Sequence, residues 1–330
     1  MATTSHAATP SPLTGEGWGE GAIVDAHQHF WDLERNYYPW LRDPEPIPFR
    51  YGDYSAIRRS YLPPDYLSDA GQTRVAMTVH MEAEWDPRDP VGETLWLEQI
   101  AATYGLPTAC VAQAWLDRED VESVLAAQAA RPLVRGVRHK PRAAKTAEGA
   151  RRGVPGSMDD PRWRRGFALL ERHGLSFDLQ TPWWHLDAAG DLARDFPNTP
   201  IIVNHTGLPA DRSAEGLAGW RASLEHVARN ENVFLKLSGL GQRGRPWTIE
   251  TNGPIIRDAI SIFGVERCMF ASNYPVDKLC APLGTIFAGF HAAVSHLRPA
   301  DRRKLFHGNA VRIYRLSHSD RADGPRQTIR

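Results

Sequence analysis

The stretch IVDAHQHFWD, residues Ile23–Asp32, places two histidines and an aspartate directly after an apolar start. Asp25, His27 and His29 occupy alternate positions, and alternate residues of a β-strand lie on one face of it. Two imidazoles about 7 Å apart on one face can meet a single metal ion at the end of a strand. The stretch therefore predicts one of two things, a metal-binding strand end or a polar strand that contains histidine.

Seven further β-rich runs follow this one, and segments with helical spacing separate them. The runs begin at Val75, Pro107, Val134, Leu175, Ile201, Asn232 and Cys268. In one intervening segment Asp160-Pro161 provides an N-cap residue followed by proline, apolar residues recur from Trp163 to Leu170, and Gly174 ends the pattern. Eight parallel strands with both faces covered predict a single α/β domain, a (β/α)8 barrel of the TIM type. The alternative is a doubly wound sheet, which would not gather polar residues at every strand end.

The barrel is predicted to occupy residues 22–317. Residues 1–21 are rich in Thr, Ser, Pro and Gly and predict a disordered leader, and residues 318–330 predict a flexible tail. The longest gap between strands contains NYYPWLRDPEPIPFRYGDY, residues Asn36–Tyr54. Because this gap is too long for a plain crossover, it predicts a long loop over the barrel mouth after the first strand.

The charges balance, with 39 Lys and Arg residues against 39 Asp and Glu residues. This balance gives no indication of a nucleic-acid or membrane partner, so a small-molecule substrate is expected. The three cysteines lack CxxC spacing, which argues against a zinc cluster or a disulfide framework and suits a reducing cytoplasm. No apolar run approaches the roughly 18 residues needed to span a bilayer. We therefore expect a cytoplasmic protein, with a homo-oligomer left open.

Polar residues follow the strands at the ends that would meet at the mouth of such a barrel, where active sites lie. They are His27, His29, His80, Glu82, Glu84, Arg138, His139, Asp178, Gln180, Asn204, His205, Lys236, Ser238, Ser272 and Asn273. A lone histidine or a single HxH pair is more often structural than functional. The shared position at one end of the strands nevertheless predicts an active site.

Seven motifs in order along residues Gly21–Leu316 resemble one enzyme family. They are DAHQHFWD, VHMEAEWDP, VRGVRH, VNHTGLP, NVFLKLSGL, RCMFASNYPVD and FHGNAVRIY. Together they resemble the amidohydrolase-2 branch of the amidohydrolase superfamily, and within it the sugar-acid lactonase group. The resemblance implies a (β/α)8 barrel and a divalent metal of the zinc or manganese type that activates water, with His27, His29 and His205 as its ligands.

Two positions depart from that family pattern. Asn273 stands where the family normally has an aspartate that binds metal and takes a proton from water, and an amide cannot act as a base at neutral pH. Gln180 stands where metal-dependent relatives have a histidine, with His185 five residues further on. A metal-free site is therefore as compatible with the sequence as a metal site. The predicted activity is hydrolysis of a sugar-acid lactone, and the alternatives are a metal-free lactone isomerase and an inactive barrel that serves as a binding partner.

The candidate residues divide into three sets. His80, Glu82, Lys236 and Asn273 are the catalytic candidates, because a lysine between two leucines is costly to bury without a task and His80 and Glu82 share one strand face. Asp277 and His185 are further candidates for the base. The substrate-binding candidates are Trp31, which can stack on a sugar ring, and Arg138, His139 and His185. The metal candidates are the three histidines named above.

Overall fold

Each of the predicted strands pairs with the next one along the chain. The computed structural model describes residues 22–317, and its strands pair in the order β1 to β8. Their bounds are β1 Ile23–Gln28, β2 Val75–Met81, β3 Ala109–Gln113, β4 Val134–Arg138, β5 Ser176–Leu179, β6 Ile201–Val203, β7 Val233–Leu237 and β8 Cys268–Phe270. The predicted leader at 1–21 and tail at 318–330 lie outside the described residues.

The first strand and the segment after the last strand close the sheet into a barrel. Asn273 N donates to the carbonyl oxygen of His27 at 2.8 Å, and His29 N donates to that of Tyr274 at 2.7 Å. Gln28 and Tyr274 form a parallel bridge between the same segments. The predicted (β/α)8 barrel is therefore confirmed.

Most of the helices follow strands and cover the outer face of the barrel. Their bounds are α1 Pro39–Arg42, α2 Pro63–Ala70, α3 Gly92–Tyr104, α4 Val121–Ala129, α5 Pro161–Arg172, α6 Leu186–Asp195, α7 Ala214–Val227, α8 Ile249–Phe263, α9 Leu283–Ala293, α10 Pro299–Arg303 and α11 Asn309–Ile313. As predicted, Asp160 caps α5 by accepting a hydrogen bond from Arg162 N at 2.9 Å, and Trp163 and Leu170 are buried. In the part of the chain that the structure describes, no helix is long and apolar enough to cross a membrane.

Apolar residues pack in two layers, one on each face of the barrel wall. The inner cluster combines alternate strand residues such as Val24, Met77 and Ile202 with Ile313 and Tyr314 from the C-terminal segment. The larger outer cluster joins the other strand faces to the helices. Asn309 Nδ2 donates to the carbonyl oxygen of Cys268 at 2.7 Å, at the start of β8. The C-terminal segment therefore packs across the end of the barrel where the strands begin.

The long connection after β1 covers the opposite end, as predicted. Trp31 Nε1 donates to the carbonyl oxygen of Arg59 at 2.7 Å, and Tyr54 Oη donates to that of Trp40 at 3.0 Å. These bonds fold the connection back onto itself. We call its central part, residues 43–54, the lid.

Candidate active site

A cavity of about 240 Å³ lies between the lid and the C-terminal ends of the strands. It is lined by His29, Trp40, Ile47, Pro48, Phe49, Arg50, Ala83, Glu84, Arg138, Lys140, Gln180, His205, Asn273 and Val276. Four of the predicted site residues, His29, Arg138, His205 and Asn273, are therefore brought together here. Cationic side chains, the carboxylate of Glu84, which pairs with Lys140, and neutral polar groups face an apolar wall supplied largely by the lid.

Backbone strain is concentrated around this cavity. Glu84, His205 and Asn273 adopt positive φ angles of 59°, 53° and 57°, a region that residues other than glycine seldom occupy. Each of the three follows a strand of the barrel and lines the cavity. Such conformations persist where the surrounding structure holds them, and they are frequent at active sites.

His27 and His29 point their imidazoles at each other. Their Nε2 atoms lie 3.2 Å apart. His29 Nδ1 donates to the carbonyl oxygen of Met81 at 2.7 Å, so His29 Nε2 carries a lone pair. His27 Nδ1 is buried and has no hydrogen-bond partner. Burial, together with Lys236 beside His27 and Arg138 beside His29, holds the pKa of both imidazoles well below the usual value, so both are neutral at pH 7.

His205 completes the row of imidazoles. Its ring centre lies 4.6 Å from that of His27, and its Nδ1 atom lies 3.1 Å from Ser238 Oγ. Burial and the guanidinium groups of Arg50 and Arg138 hold the pKa of His205 well below its usual value. A neutral imidazole at the cavity wall can accept a proton from a substrate or from water.

The spacing of the first two histidines meets one requirement of a metal site. Two ligands of a tetrahedral zinc ion lie roughly 3.3 Å apart, close to the 3.2 Å between His27 Nε2 and His29 Nε2. Among residues 22–317, however, no three His, Cys, Asp or Glu side chains converge closely enough to hold a metal ion. Two imidazole nitrogens, His27 Nε2 and His29 Nε2, are therefore spaced to bind one divalent cation, and the His205 ring lies beside them.

Arg138 is held in place by the residues at the end of β2. Its Nε atom donates to Glu82 Oε1 at 2.6 Å, and its Nη1 atom donates to Gln180 Oε1 at 3.2 Å. The other carboxylate oxygen of Glu82 accepts from Glu84 N at 2.8 Å. Glu82 is buried and occupied at both oxygens, so it orients Arg138 rather than facing the cavity.

The buried carboxylate of Asp277 contacts the side chain of Asn273 on the side away from the cavity. Asn273 Nδ2 donates to Asp277 Oδ1 at 2.6 Å, and Tyr51 Oη donates to the same oxygen at 2.8 Å. Arg50 Nη2 lies 3.6 Å from it. Burial raises the pKa of Asp277. Two lid residues therefore contact the same carboxylate oxygen as Asn273. Arg50 and Tyr51 were not predicted, because nothing in the lid sequence marks them.

Lys236 lies below the imidazoles, inside the barrel. Its ammonium donates to Asp178 Oδ1 at 2.6 Å, and both side chains are fully buried. Asn204 Nδ2 and Tyr314 Oη donate to the same oxygen at 2.8 and 3.0 Å. Burial lowers the pKa of Lys236 to about 8, although Asp178 acts in the opposite direction. Lys236 therefore supports the site from beneath and does not line the cavity.

Four other predicted residues also lie outside the cavity. His80 Nδ1 accepts from Phe30 N at 3.1 Å, which leaves its proton on Nε2, 3.3 Å from Glu93 Oε1. His139 Nδ1 accepts from Leu116 N and from Trp163 Nε1, each at 3.0 Å. His185 Nε2 accepts from Ala144 N at 2.9 Å. Trp31 is fully buried and stacks beside His29. Each of these side chains is engaged by the protein in the wall behind the site.

Comparison with known proteins gives a consistent result. The family model described as amidohydrolase matches residues 24–316. The uncharacterized protein y4mH of Sinorhizobium fredii is 40% identical and covers 89% of this chain and 99% of its own length. The L-fucono-1,5-lactonase of Burkholderia multivorans is 29% identical and covers 90% and 97%.

A solved structure agrees with these sequence matches. The crystal structure of an amidohydrolase from Burkholderia multivorans with bound zinc is 25% identical, with a TM-score of 0.75 over 90% of this chain and 100% of that one. The family match and the 40% identical relative both extend over most of the chain. The chain therefore belongs to the amidohydrolase family and is a hydrolase.

Proposed function

We propose that the protein opens the lactone ring of a sugar acid or a similar small carboxylated molecule in the cavity beneath the lid. The observation that carries the proposal is the presence of neutral imidazoles and cations around one small cavity: His29 and His205 face Arg50, Arg138 and Lys140. The similarity to the L-fucono-1,5-lactonase supports the same type of bond. A lactone is a cyclic ester, whose carbonyl needs polarisation and whose attacking water needs a base.

The residues around the cavity divide these tasks. Arg138 and Lys140 bind the substrate carboxylate and polarise the carbonyl oxygen, since cations stabilise the charge that develops there. His205 takes the proton from the attacking water, because an imidazole with a lowered pKa is unprotonated at neutral pH, and returns it to the ring oxygen that leaves as a hydroxyl when the ester bond breaks. Asn273 orients the water or substrate through its amide and does not act as a base. Trp40 and Phe49 offer an apolar face to the sugar ring.

A divalent metal is the second candidate for activating the water. The 3.2 Å between His27 Nε2 and His29 Nε2 favours it, and the zinc in the related crystal structure supports it. A zinc- or manganese-type ion held by these two residues, with His205 beside it, would supply Lewis acidity to the water and to the carbonyl. Metal analysis of the purified protein by mass spectrometry, with H27N/H29N as the comparison, tests this. Metal that disappears in the double variant supports the ion, and full activity of metal-free wild type excludes a requirement for it.

The lactone proposal is tested with purified full-length protein and a panel of aldonic and uronic acid lactones that includes L-fucono-1,5-lactone. A pH indicator follows acid release, and NMR distinguishes ring opening from migration of the ester bond. We expect H205N to lower kcat/KM by about 100-fold or more, as loss of a general base does. H296N removes an exposed histidine and should leave kcat/KM unchanged. Turnover of none of the lactones, or equal activity of the two variants, would contradict the proposal.

The pH profile of the same reaction examines the protonation state of His205. Burial and two guanidinium groups favour its neutral form, so its pKa lies below the usual 6.5 and activity should persist as the pH falls through that value. The acid limb of kcat/KM should therefore lie below pH 6.5. In R50Q one of the opposing cations is gone, and the limb should move toward higher pH. A limb at or above pH 6.5 in the wild type would argue against His205 as the base.

A further inference from the structure

A second cavity of about 550 Å³ lies beside the catalytic one. Residues 208–213, which lead into α7, form one side of it, and residues of the loop 239–245, after β7, form another. Arg50 and Tyr51 of the lid complete the lining, and Arg50 also lines the catalytic cavity. The two cavities are therefore neighbours that share one arginine.

The charge of this second cavity is strongly positive. Arg50, Arg212, Arg243 and Arg245 line it, against the single carboxylate of Asp211. Asp211 accepts hydrogen bonds from Ser213 N and Ser213 Oγ, at 2.9 and 3.0 Å, so it is engaged at the start of α7. Within residues 22–317, Arg50 has an ion-pair partner in Asp277, whereas no carboxylate lies within ion-pair distance of Arg212, Arg243 or Arg245. Guanidinium groups gathered without counter-charges repel one another.

Arg212 is held by the protein through one guanidinium nitrogen, which contacts Leu240 and Asn252. Its Nη2 atom donates to the carbonyl oxygen of Leu240 at 3.2 Å. Its Nε and Nη1 atoms are buried and have no hydrogen-bond partner. Buried donors without partners are rare and destabilising, so an acceptor that reaches these atoms would relieve the deficit.

The helix that begins beside Arg212 adds to the positive field. Ser213 caps α7 by accepting from Gly216 N at 3.0 Å, and α7 extends for 14 residues. The N-terminus of a helix carries a partial positive charge and favours anions. Its field thus has the same sign as that of the arginines.

We propose that this arginine cavity binds a small polyanion through its carboxylate or phosphate groups. Planar guanidinium groups match such oxygens in paired hydrogen bonds, and Arg212, Arg243 and Arg245 are available to make them. The anion comes from one of two sources, a free oxyanion or the second acidic group of a substrate that reaches past Arg50. An anion bound in this cavity would contact Arg50, which also lines the catalytic cavity. Arg50 in turn contacts Asp277, whose Oδ1 atom accepts a hydrogen bond from Asn273.

The binding experiment uses the full-length protein and no lactone, so its result is independent of the proposed function. Phosphate and citrate are titrated by calorimetry at constant ionic strength, with acetate as the monovalent comparison. We expect saturable binding of the polyanions. R212Q, and separately R243Q/R245Q, should weaken it by about tenfold or more, as loss of a charge-assisted hydrogen bond does.

The control is R229Q, which removes one arginine from an exposed position beyond the other end of α7. A 14-residue helix is about 21 Å long, so this charge is remote from the cavity. Binding in R229Q should match the wild type. Absence of saturable binding, or equal affinity in R229Q and R243Q/R245Q, would overturn the proposal. If R212Q folds poorly, the R243Q/R245Q variant still tests the proposal, because both of its substitutions are at exposed positions.

Steady-state kinetics then identify the source of the anion. If phosphate competes only with lactones that carry a second acidic group, and R243Q/R245Q raises KM for those lactones alone, the cavity belongs to the substrate. Any other pattern, given binding that depends on the arginines, assigns the cavity to a free oxyanion.

Discussion

At the scale of single residues, the position of His205 depends on the absence of a side chain at Gly239. Gly239 has a φ angle of +64°, and a Cβ atom built there would lie 2.7 Å from His205 Cβ and from His205 Nδ1. That is far inside van der Waals contact. The glycine after β7 and the strained histidine after β6 therefore fit together as one unit, in which Ser238 Oγ also contacts the ring.

Gly239→Ala should accordingly displace the imidazole. We expect kcat/KM on a lactone substrate to fall by at least about tenfold, since small displacements at reacting groups are costly. Gly174→Ala is the matched control, because its φ angle is +62° and no atom lies within 4 Å of the added Cβ. Both variants should lose about 1–2 kcal/mol of unfolding free energy in urea from the backbone strain. The idea fails if both variants lose activity equally.

The polar residues at the strand ends predicted part of the cavity lining. They did not predict the hydrogen-bond partners of the candidate side chains. His29, Arg138, His205 and Asn273 lie at or just after strand ends, and the barrel brings such positions together whatever the loops do. His139 and His185 also lie close after strands, but backbone amides and Trp163 occupy one ring nitrogen of each. The hydrogen-bond partner of a side chain depends on how the loops pack. Loop packing leaves no periodic pattern in a single sequence, so these partners could not be predicted.

At the scale of elements, the lid is anchored to the barrel near Asn273. Tyr51 Oη donates to Asp277 Oδ1 at 2.8 Å, and Arg50 packs over the Tyr51 ring at 4.6 Å. Phe49 stacks on Trp40 at 5.7 Å, which fixes the apolar wall of the cavity. The length of this segment was predictable from the strand spacing, whereas its anchors were not, because it has neither helical nor strand periodicity.

Removing one anchor tests the coupling between the lid and the site. In Tyr51→Phe the hydrogen bond to Asp277 is lost while the ring remains, so the lid should open more often. We expect tryptic cleavage within residues 43–54 to accelerate and kcat/KM to fall by about tenfold, chiefly through KM. Tyr104→Phe removes an exposed hydroxyl on α3 and should change neither. Unaltered cleavage in Tyr51→Phe would show that the hydrogen bond from Tyr51 to Asp277 does not hold the lid.

At the scale of the whole molecule, Asp178 connects the strands that carry the site to the C-terminal segment at the other end of the barrel. This residue on β5 accepts hydrogen bonds from Asn204 after β6, Lys236 on β7 and Tyr314 in the C-terminal segment. The eight strands were predictable because their β-rich runs alternate with helical patterns. The buried polar cluster was not, since Tyr314 lies 136 residues from Asp178 along the chain.

Lys236→Met measures how much the molecule depends on this cluster. The substitution leaves Asp178 buried without its counter-charge, and breaking a buried pair costs about 3–5 kcal/mol. We expect a loss of that size in urea-induced unfolding, against about 1 kcal/mol or less for Lys304→Met, whose pair with Glu266 is exposed. The double variant D178N/K236M carries neither charge of this buried pair and should recover part of the loss. If Lys236→Met costs no more than Lys304→Met, the buried pair does not stabilise the fold, and the lysine is kept for the electrostatics of the imidazoles above it.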